Sequence, residues 1–485
     1  MSTNKNNSVR INPITPRSED FSQWYLDVIR EADLFEYAPI KGCIVFKPYG
    51  YAIWENIQDV LDHKFKDTGV ENAYFPLLIP ERFLKREKEH VEGFSPEVAA
   101  VMYAGGERLK EALIVRPTSE SIIYPIIAGW IKSHRDLPLL LNQWVNVVRW
   151  EKRPRPFIRT TEFLWQEGHT AHASESEADE RARLMLSVYK DFAEDFMAIP
   201  VITGIKSESE KFAGALRTYT VEAMMQDGKS LQFSTSHNLG QNFSKAFGIE
   251  FTDQDGSSGY CWQTSWGLST RTIGALVMVH GDDKGLVLSP NIAPVKLAIV
   301  PIWGDESKPA IKKKVLEIIS ALKDFGISEV KFDDREEVNP GDKYYFWERK
   351  GVPLRIEIGP KDLQKESVVL VRRDTGEKFD TEIKNVAEVV KSTLVDIQKN
   401  LYQQASNRLS DNTVSVDNWD NFKSAINNKK FVLAHWCGDA KVEDKIKKET
   451  KATIRCIPLD QPEEEGRCVL TGKPSKRRVL FAQSY

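Results

Sequence analysis

The stretch from Arg149 to Ala173 holds the side chains most able to do chemistry. Arg149, Glu151, Arg159, Glu162, Gln166, Glu167 and His169 alternate there with Phe157, Phe163 and Trp165. Two apolar, strand-like segments flank a basic, proline-rich insert, Lys152-Arg153-Pro154-Arg155-Pro156. That pattern predicts a hairpin with the prolines at its turn. Strands buried in a sheet carry so many ionisable groups only where those groups face a ligand. The alternative is a solvated amphipathic hairpin, and the rest of the chain has to decide. His169, His172, His237 and Cys261 offer zinc-type donors. On a strand, however, a spacing of three puts His169 and His172 on opposite faces, so a single His169 lining a pocket is the better reading.

The surrounding elements must position that hairpin. Ser18 to Leu34 reads as a helix with Phe21, Tyr25, Val28 and Ile29 on one side, and a second helix follows Pro48-Tyr49-Gly50. A short strand, Ala73-Tyr74-Phe75, is expected to stop at Pro76, which cannot donate to a ladder. Leu113-Ile114-Val115 opens into Arg116-Pro117-Thr118-Ser119-Glu120. After the hairpin, Ser174 to Glu177 fits a capping box for a helix that aligns Ala178, Ala182, Met185, Tyr189, Phe192 and Phe196. Strands around Thr218–Glu222 and Ser230–Ser234 are joined by an Asp227-Gly228 turn, and Gly267 to Arg271 leads into an apolar helix, Ile273 to His280. From Val295 onward strands alternate with helices, closing on Val386, Val389, Leu394, Ile397 and Leu401. A polar linker, Ser406 to Ser415, is expected before the last segment. The expected fold class is α+β. Residues 1–290 form an antiparallel sheet flanked by helices, 291–405 an α/β domain, and 406–485 a small α+β domain.

The totals limit the possibilities. The 485 residues are enough for two to four domains. With 67 basic and 70 acidic residues the net charge is -3, so no global basic field marks a nucleic-acid binder, although a local patch can still hold a polyanion. Met1 to Ser8 is polar and lacks a signal peptide's apolar core, and no apolar run would span a bilayer. Five scattered cysteines suit a reducing compartment. A cytoplasmic protein with no membrane contact is expected.

Three separated signatures resemble those of the class II aminoacyl-tRNA synthetases. They are the helix and strand ending at Pro76, the hairpin with Arg149-Trp150-Glu151 and Arg159 to Phe163, and Gly267-Leu268-Ser269-Thr270-Arg271. The resemblance narrows with Thr118-Ser119-Glu120, Phe163-Leu164-Trp165-Gln166-Glu167-Gly168-His169, Thr235 to Phe243 and Cys261 to Gly267. Together these look like the prolyl-tRNA synthetases of the archaeal and eukaryotic-like type, over essentially the whole chain. The resemblance implies a homodimeric ligase that uses ATP and Mg2+ to join L-proline to tRNA(Pro). Residues 1–290 would then be the catalytic domain, 291–405 the anticodon-binding domain, and 406–485 a module like a zinc-binding one.

The implied roles follow position by position. Thr118, Glu120 and Arg149 would hold the imino and carboxylate groups of proline, and Trp165, Glu167, His169 and His237 would shape its pocket. Arg149, Glu151, Arg159, Thr160, Phe163, Gln232, Thr235, Ser269 and Arg271 would serve ATP, with Gln232 also near Mg2+. Arg149 and Arg271 would carry catalysis. These types suit the task, because a carboxylate and a triphosphate repel each other and a planar guanidinium can bridge them. Phe163 could lie under adenine with Arg271 above it, while Arg159 and Mg2+ neutralise the departing pyrophosphate. Arg355 and Glu357 would read anticodon edges.

Two departures qualify the match. Roughly one hundred residues separate the second and third signatures, too few for a separate editing domain of typical size. Cys437 and Cys468 match one member each of the family's two cysteine pairs, but the partner positions hold Val442 and Leu470 and Cys456 is a spare, so no structural zinc is expected. The chain does keep a terminal tyrosine, Tyr485. Two rivals remain: a synthetase for another small amino acid, such as threonine or serine, and a non-catalytic tRNA-binding paralogue. A decayed paralogue would be expected to lose Arg149, Glu151 or Arg271, and all three are present.

Overall fold

Asp20 starts the first helix, α1 (Phe21–Glu31), by accepting from the amides of Ser22 and Gln23. The computed structural model describes residues 13–90 and 97–485, the side chains of 86–90 excepted. The polar segment Met1–Ser8 lies outside them. The apolar side of α1, Trp24, Tyr25, Val28 and Ile29, is fully buried. A second helix, α2 (Pro48–Lys66), has proline in its first turn, where a missing N–H costs nothing, and buries Ile53, Trp54, Ile57 and Leu61. Both contribute to the largest core cluster. Helix α3 (Glu120–Trp130) belongs to a second cluster with Phe75, Leu141 and Phe243.

The central sheet is built from β1 (Leu139–Val148), β2 (Glu162–His172), β3 (Val201–Ile205), β4 (Arg217–Met224), β5 (Ser230–Gly240) and β6 (Trp262–Ser269), in the order β3-β4-β5-β6-β2-β1, all antiparallel. Helix α4 (Glu175–Asp191) packs behind it, capped by Ser174. Successive side chains on a strand point to opposite faces, so β2 is divided by parity. Gln166 turns toward α4, where its Oε1 accepts from the Tyr189 hydroxyl at 2.5 Å. Gly168 leaves room for an indole, since a Cβ there would stand 2.1 Å from the Trp266 ring. Helix α5 (Arg271–His280) follows β6 and is buried along nearly its whole length.

Three expectations are corrected. The strand placed at Ala73–Phe75 is instead two short pieces, Glu71–Asn72 and Leu78–Pro80. The ladder breaks because the Phe75 amide is taken by the Gln143 side chain at 3.1 Å and Pro76 has none to give. The hairpin loop is not Lys152–Pro156 but the whole of residues 149–161. Arg149 and Glu151 therefore sit beyond the end of β1. The loop is closed by a bond from the Arg149 amide to the Thr161 carbonyl at 2.8 Å and by mutual backbone bonds between Arg155 and Arg159. Gly42, at φ +83°, lets the Thr161 amide reach its carbonyl. Thirdly, the polar linker Ser406–Ser415 does not exist as such. Helix α6 (Val386–Asp411) runs through it, and Thr413–Ser415 pairs with Phe431–Leu433. Polar residues on the solvent side of one continuous helix account for the linker-like composition, and Arg408 fastens that helix to the Val279 carbonyl at 2.7 Å.

Residues 297–382 form a five-stranded sheet of their own. Val330–Phe332, Leu297–Pro301 and Leu354–Ile358 run parallel, and Ser367–Arg372 and Lys378–Glu382 complete it antiparallel. The C-terminal strands do not stand apart. Thr453–Pro458 pairs with β3 and adds four C-terminal strands to the central sheet, and Glu71–Asn72, beside β1 at the other edge, brings it to eleven. The joint is reinforced by Glu222, which is fully buried and receives Lys206 at 2.7 Å and Arg455 at 3.0 Å. Helix α7 (Ala440–Thr450) covers this region. No helix among the described residues is long and apolar enough to cross a membrane.

Candidate active site

The front of the sheet opens into a cavity of about 300 Å³, within the range of small-molecule sites. Parity on β2 places Phe163, Trp165, Glu167 and His169 along its wall, and His172 falls on the other side beside Thr170 at 2.8 Å. The two histidines therefore cannot share a metal.

Glu167 and His169 form a nearly inaccessible pair, Nε2 to Oε2 at 3.1 Å. Gln143 donates to the second Glu167 oxygen at 2.7 Å, the Ser119 hydroxyl donates to the same atom, and Tyr124 meets the other His169 nitrogen at 3.1 Å. Burial alone would raise the Glu167 carboxyl and lower the His169 imidazole. The bonds and charges between them win, holding Glu167 below the usual carboxylate range and His169 above the usual histidine one. Across the cavity His237 lies between the hydroxyls of Thr218 and Thr235, at 2.9 and 3.0 Å. Burial, with the charge of His169 adding to it, drives His237 down to about 3, so it is neutral.

Thr118 and Glu120 sit where the 113–115 strand passes into α3, with the Thr118 hydroxyl donating to the Glu120 carboxylate. Arg149 is held by its Nε bond to the Pro117 carbonyl at 2.8 Å, and its guanidinium lies over both Phe163 and Trp165, at 5.5 and 5.4 Å. The loss of water around that guanidinium lowers its pKa, while Glu120 and Glu167 oppose the shift. Arg271, at the start of α5, donates to the Ile158 carbonyl at 3.1 Å and so ties the 149–161 loop to the cavity. Burial first, then repulsion from Arg149 and Arg159, bring its pKa down to about 10, and it remains a cation at neutral pH. The result is two arginines beside an aromatic face, with two unpartnered buried polar atoms on the same walls, Trp165 Nε1 and Ser234 Oγ. Such a cavity suits an anionic, planar ligand next to a small cationic one.

Of the residues singled out from sequence, Thr118, Glu120, Arg149, Phe163, Trp165, Glu167, His169, Gln232, Thr235, His237, Ser269 and Arg271 all line this cavity. Glu151, Arg159 and Thr160 do not. They stay on the loop, where Glu151 and Arg159 approach each other at 3.8 Å and Thr160 is buried. Glu210, Phe212, Thr218 and Ser234 line the cavity without having been foreseen. Thr218 could have been found, because an Asp227-Gly228 hairpin places it opposite His237. Arg355 and Glu357 do not line the cavity and pair with each other at 2.8 Å, with Arg355 over the Tyr344 ring at 4.4 Å. Cys456 lies in a strand, and all five cysteines are free.

Known proteins share this plan. Residues 103–280 match the tRNA synthetase class II core domain (G, H, P, S and T), 296–393 the anticodon binding domain, and 419–485 the prolyl-tRNA synthetase C-terminal domain. A proline--tRNA ligase of Porphyromonas gingivalis is 53% identical, covering 97% of this chain and 99% of its own. One from Natranaerobius thermophilus is 52% identical, covering 99% and 100% respectively. A crystal structure of prolyl-tRNA synthetase from Cryptosporidium parvum, complexed with halofuginone and AMPPNP, superposes with a TM-score of 0.93 at 46% identity, covering 97% of this chain and 99% of that one. With its class II core and its full-length likeness to these enzymes, the chain belongs to the proline--tRNA ligase family.

Proposed function

We propose that the chain activates L-proline with ATP in this cavity and passes the prolyl group to the 3′ end of tRNA(Pro). The carboxylate of proline attacks the α-phosphorus of ATP, forming prolyl-adenylate and expelling pyrophosphate. A ribose hydroxyl of the tRNA then attacks the acyl carbon and releases AMP. The observation that carries this reading is the place of Arg149, over Phe163 and Trp165 and between Glu120, Glu167 and Arg271. From there one guanidinium reaches both the amino-acid and the nucleotide halves of the cavity.

Thr118 and Glu120 receive the secondary ammonium, whose two N–H donors suit a charged acceptor. Trp165 forms a flat floor for the pyrrolidine ring, and Glu167, His169 and His237 complete its walls. Glu167 acts through shape and charge, since its oxygens already accept from Ser119, Gln143 and His169. Arg149 bridges the reacting carboxylate and the α-phosphate. Arg271 covers the adenine, which rests on Phe163. Glu151, Arg159, Thr160, Thr235 and Ser269 serve ATP, with Glu151 meeting the adenine amino group and Arg159 the departing phosphates. Gln232 offers a hard oxygen donor on the same wall, which would help to hold Mg2+, and the ion would supply charge neutralisation. No covalent enzyme intermediate is needed; orientation and charge stabilisation suffice.

The chain works in the cytoplasm as a homodimer of the archaeal and eukaryotic-like type, with catalytic, anticodon-binding and C-terminal domains at 1–290, 291–405 and 406–485. Arg355 and Glu357 read the anticodon by exchanging their mutual bond for base edges. No structural zinc is expected, and stoichiometric metal in the purified protein would refute that. Without an editing insertion, alanine or cysteine is activated at a low level and not cleared in cis, because a methylene contributes only about 1–3 kcal/mol of discrimination. Hydrolysis of alanyl-tRNA(Pro) by the purified enzyme would contradict this. Amino-acid-dependent pyrophosphate exchange over a panel of substrates tests the main reading. Exchange with proline supports it, exchange with threonine instead moves the specificity, and no exchange favours a non-catalytic paralogue.

A further inference from the structure

The wall of the cavity opposite β2 is completed by a loop, residues 206–216, that joins β3 to β4. Glu210 and Phe212 from this loop line the cavity. The Phe212 ring packs on His237 with centroids 4.7 Å apart, and its amide donates to the Thr218 hydroxyl at 3.0 Å, the same hydroxyl that meets His237. The loop has no regular structure of its own beyond turns at 208–210 and 213–214. Its second half is held by the Asn242 side chain, which donates to the Gly214 carbonyl at 2.8 Å, and by the Leu216 amide on the Asn238 carbonyl at 2.8 Å. Its first half is fastened from helix α7, more than two hundred residues away in sequence. Glu443, 5% exposed, accepts from the Ser207 hydroxyl at 2.8 Å and the Ser209 hydroxyl at 2.5 Å. One helical turn further on, Lys447 reaches Glu210 at 3.2 Å. A charged acceptor taking two hydroxyls makes bonds stronger than neutral ones and fixes two points of the same turn.

We propose that Glu443 is a positioning residue for the amino-acid pocket. By gripping Ser207 and Ser209 it sets the loop so that Phe212 closes over His237, and in this way the C-terminal domain tunes affinity for the small cationic substrate. The nucleotide half depends on Arg149, Arg271 and the 149–161 loop, none of which Glu443 touches. The proposal rests on the reading that this cavity takes proline.

Steady-state pyrophosphate exchange on the full-length enzyme tests it. Glu443→Ala is expected to raise the KM for proline about tenfold while kcat and the KM for ATP stay within twofold. Glu443→Gln, which still offers a carbonyl oxygen, should remain within about threefold of the wild type. Ser207→Ala with Ser209→Ala removes only two hydroxyls and should reproduce the Glu443→Ala effect, without adding to it in the triple variant. An unchanged proline KM in Glu443→Ala would overturn the proposal, as would a parallel rise in the ATP KM. If the unaltered enzyme shows no proline-dependent exchange, the reading of the cavity itself has failed. Normal wild-type exchange with an unresponsive Glu443→Ala defeats this inference alone.

Discussion

The two sides of the cavity are built differently. On β2, Phe163, Trp165, Glu167 and His169 stand at fixed two-residue intervals, and the charged pair among them is satisfied by Ser119, Gln143 and Tyr124. On the 149–161 loop, Glu151 accepts from the Arg153 amide at 3.2 Å and lies 3.8 Å from Arg159, and neither of the pair is on the cavity wall. A strand flanked by two others has little freedom, so the amino-acid side is organised before any ligand arrives. The nucleotide side has its anchors, Arg149 and Arg271, but its outer contacts are completed only when charge is brought to them. The comparison fits the chemistry, because a small substrate must be discriminated by shape while a triphosphate is gripped by charge.

The largest effect should come where the two sides meet. Arg149→Ala is expected to lower kcat/KM in pyrophosphate exchange by about a thousandfold, the upper end for loss of one charge-stabilising donor. Arg149→Lys should recover little of it, since an ammonium lacks the planar fork. Next comes the strand side. Glu167→Ala strands His169 in a buried site, and denaturant unfolding should show a loss of about 3–5 kcal/mol. On the loop side, Glu151→Gln should raise the KM for ATP about tenfold, leave the KM for proline unchanged and shift stability by no more than about 0.5 kcal/mol.

The smallest effect is a pH dependence. His169 is raised above its ordinary value of 6.5, so its contribution is full below that value and lost as pH rises through the raised one. Glu167 is lowered, so its contribution is present above the ordinary carboxylate value of 4.5 and lost as pH falls through the lowered one. Between the two titrations the pair stays charged. The KM for proline should therefore be flat near pH 6 and rise a few-fold on the alkaline side of the His169 titration. Glu167→Gln, which removes the charge that raises His169, should shift that rise to lower pH.

The strand side was legible in the sequence and the loop side was not, for a physical reason. Alternation along Phe163–His169 fixes which side chains share a face, whatever lies elsewhere in the chain. The basic insert Lys152–Pro156 looks like a tight turn, and its true span from 149 to 161 depends on Gly42 and Arg271, which lie far off in sequence. Phe212 and Glu210 were missed for the same reason, because they reach the cavity through a loop anchored on helix α7. Likewise, polar residues at 406–415 suggest a linker, yet Leu401, Ala405 and the Arg408 bond keep α6 helical through Asp411. What local periodicity determines could be read, and what long-range anchoring determines could not.

The most direct test pairs one variant from each side in a single pyrophosphate-exchange experiment, Trp165→Ala for the strand and Glu151→Gln for the loop. The account predicts a split: Trp165→Ala raises the KM for proline and spares that for ATP, while Glu151→Gln does the reverse. Equal rises in both constants for both variants would contradict it.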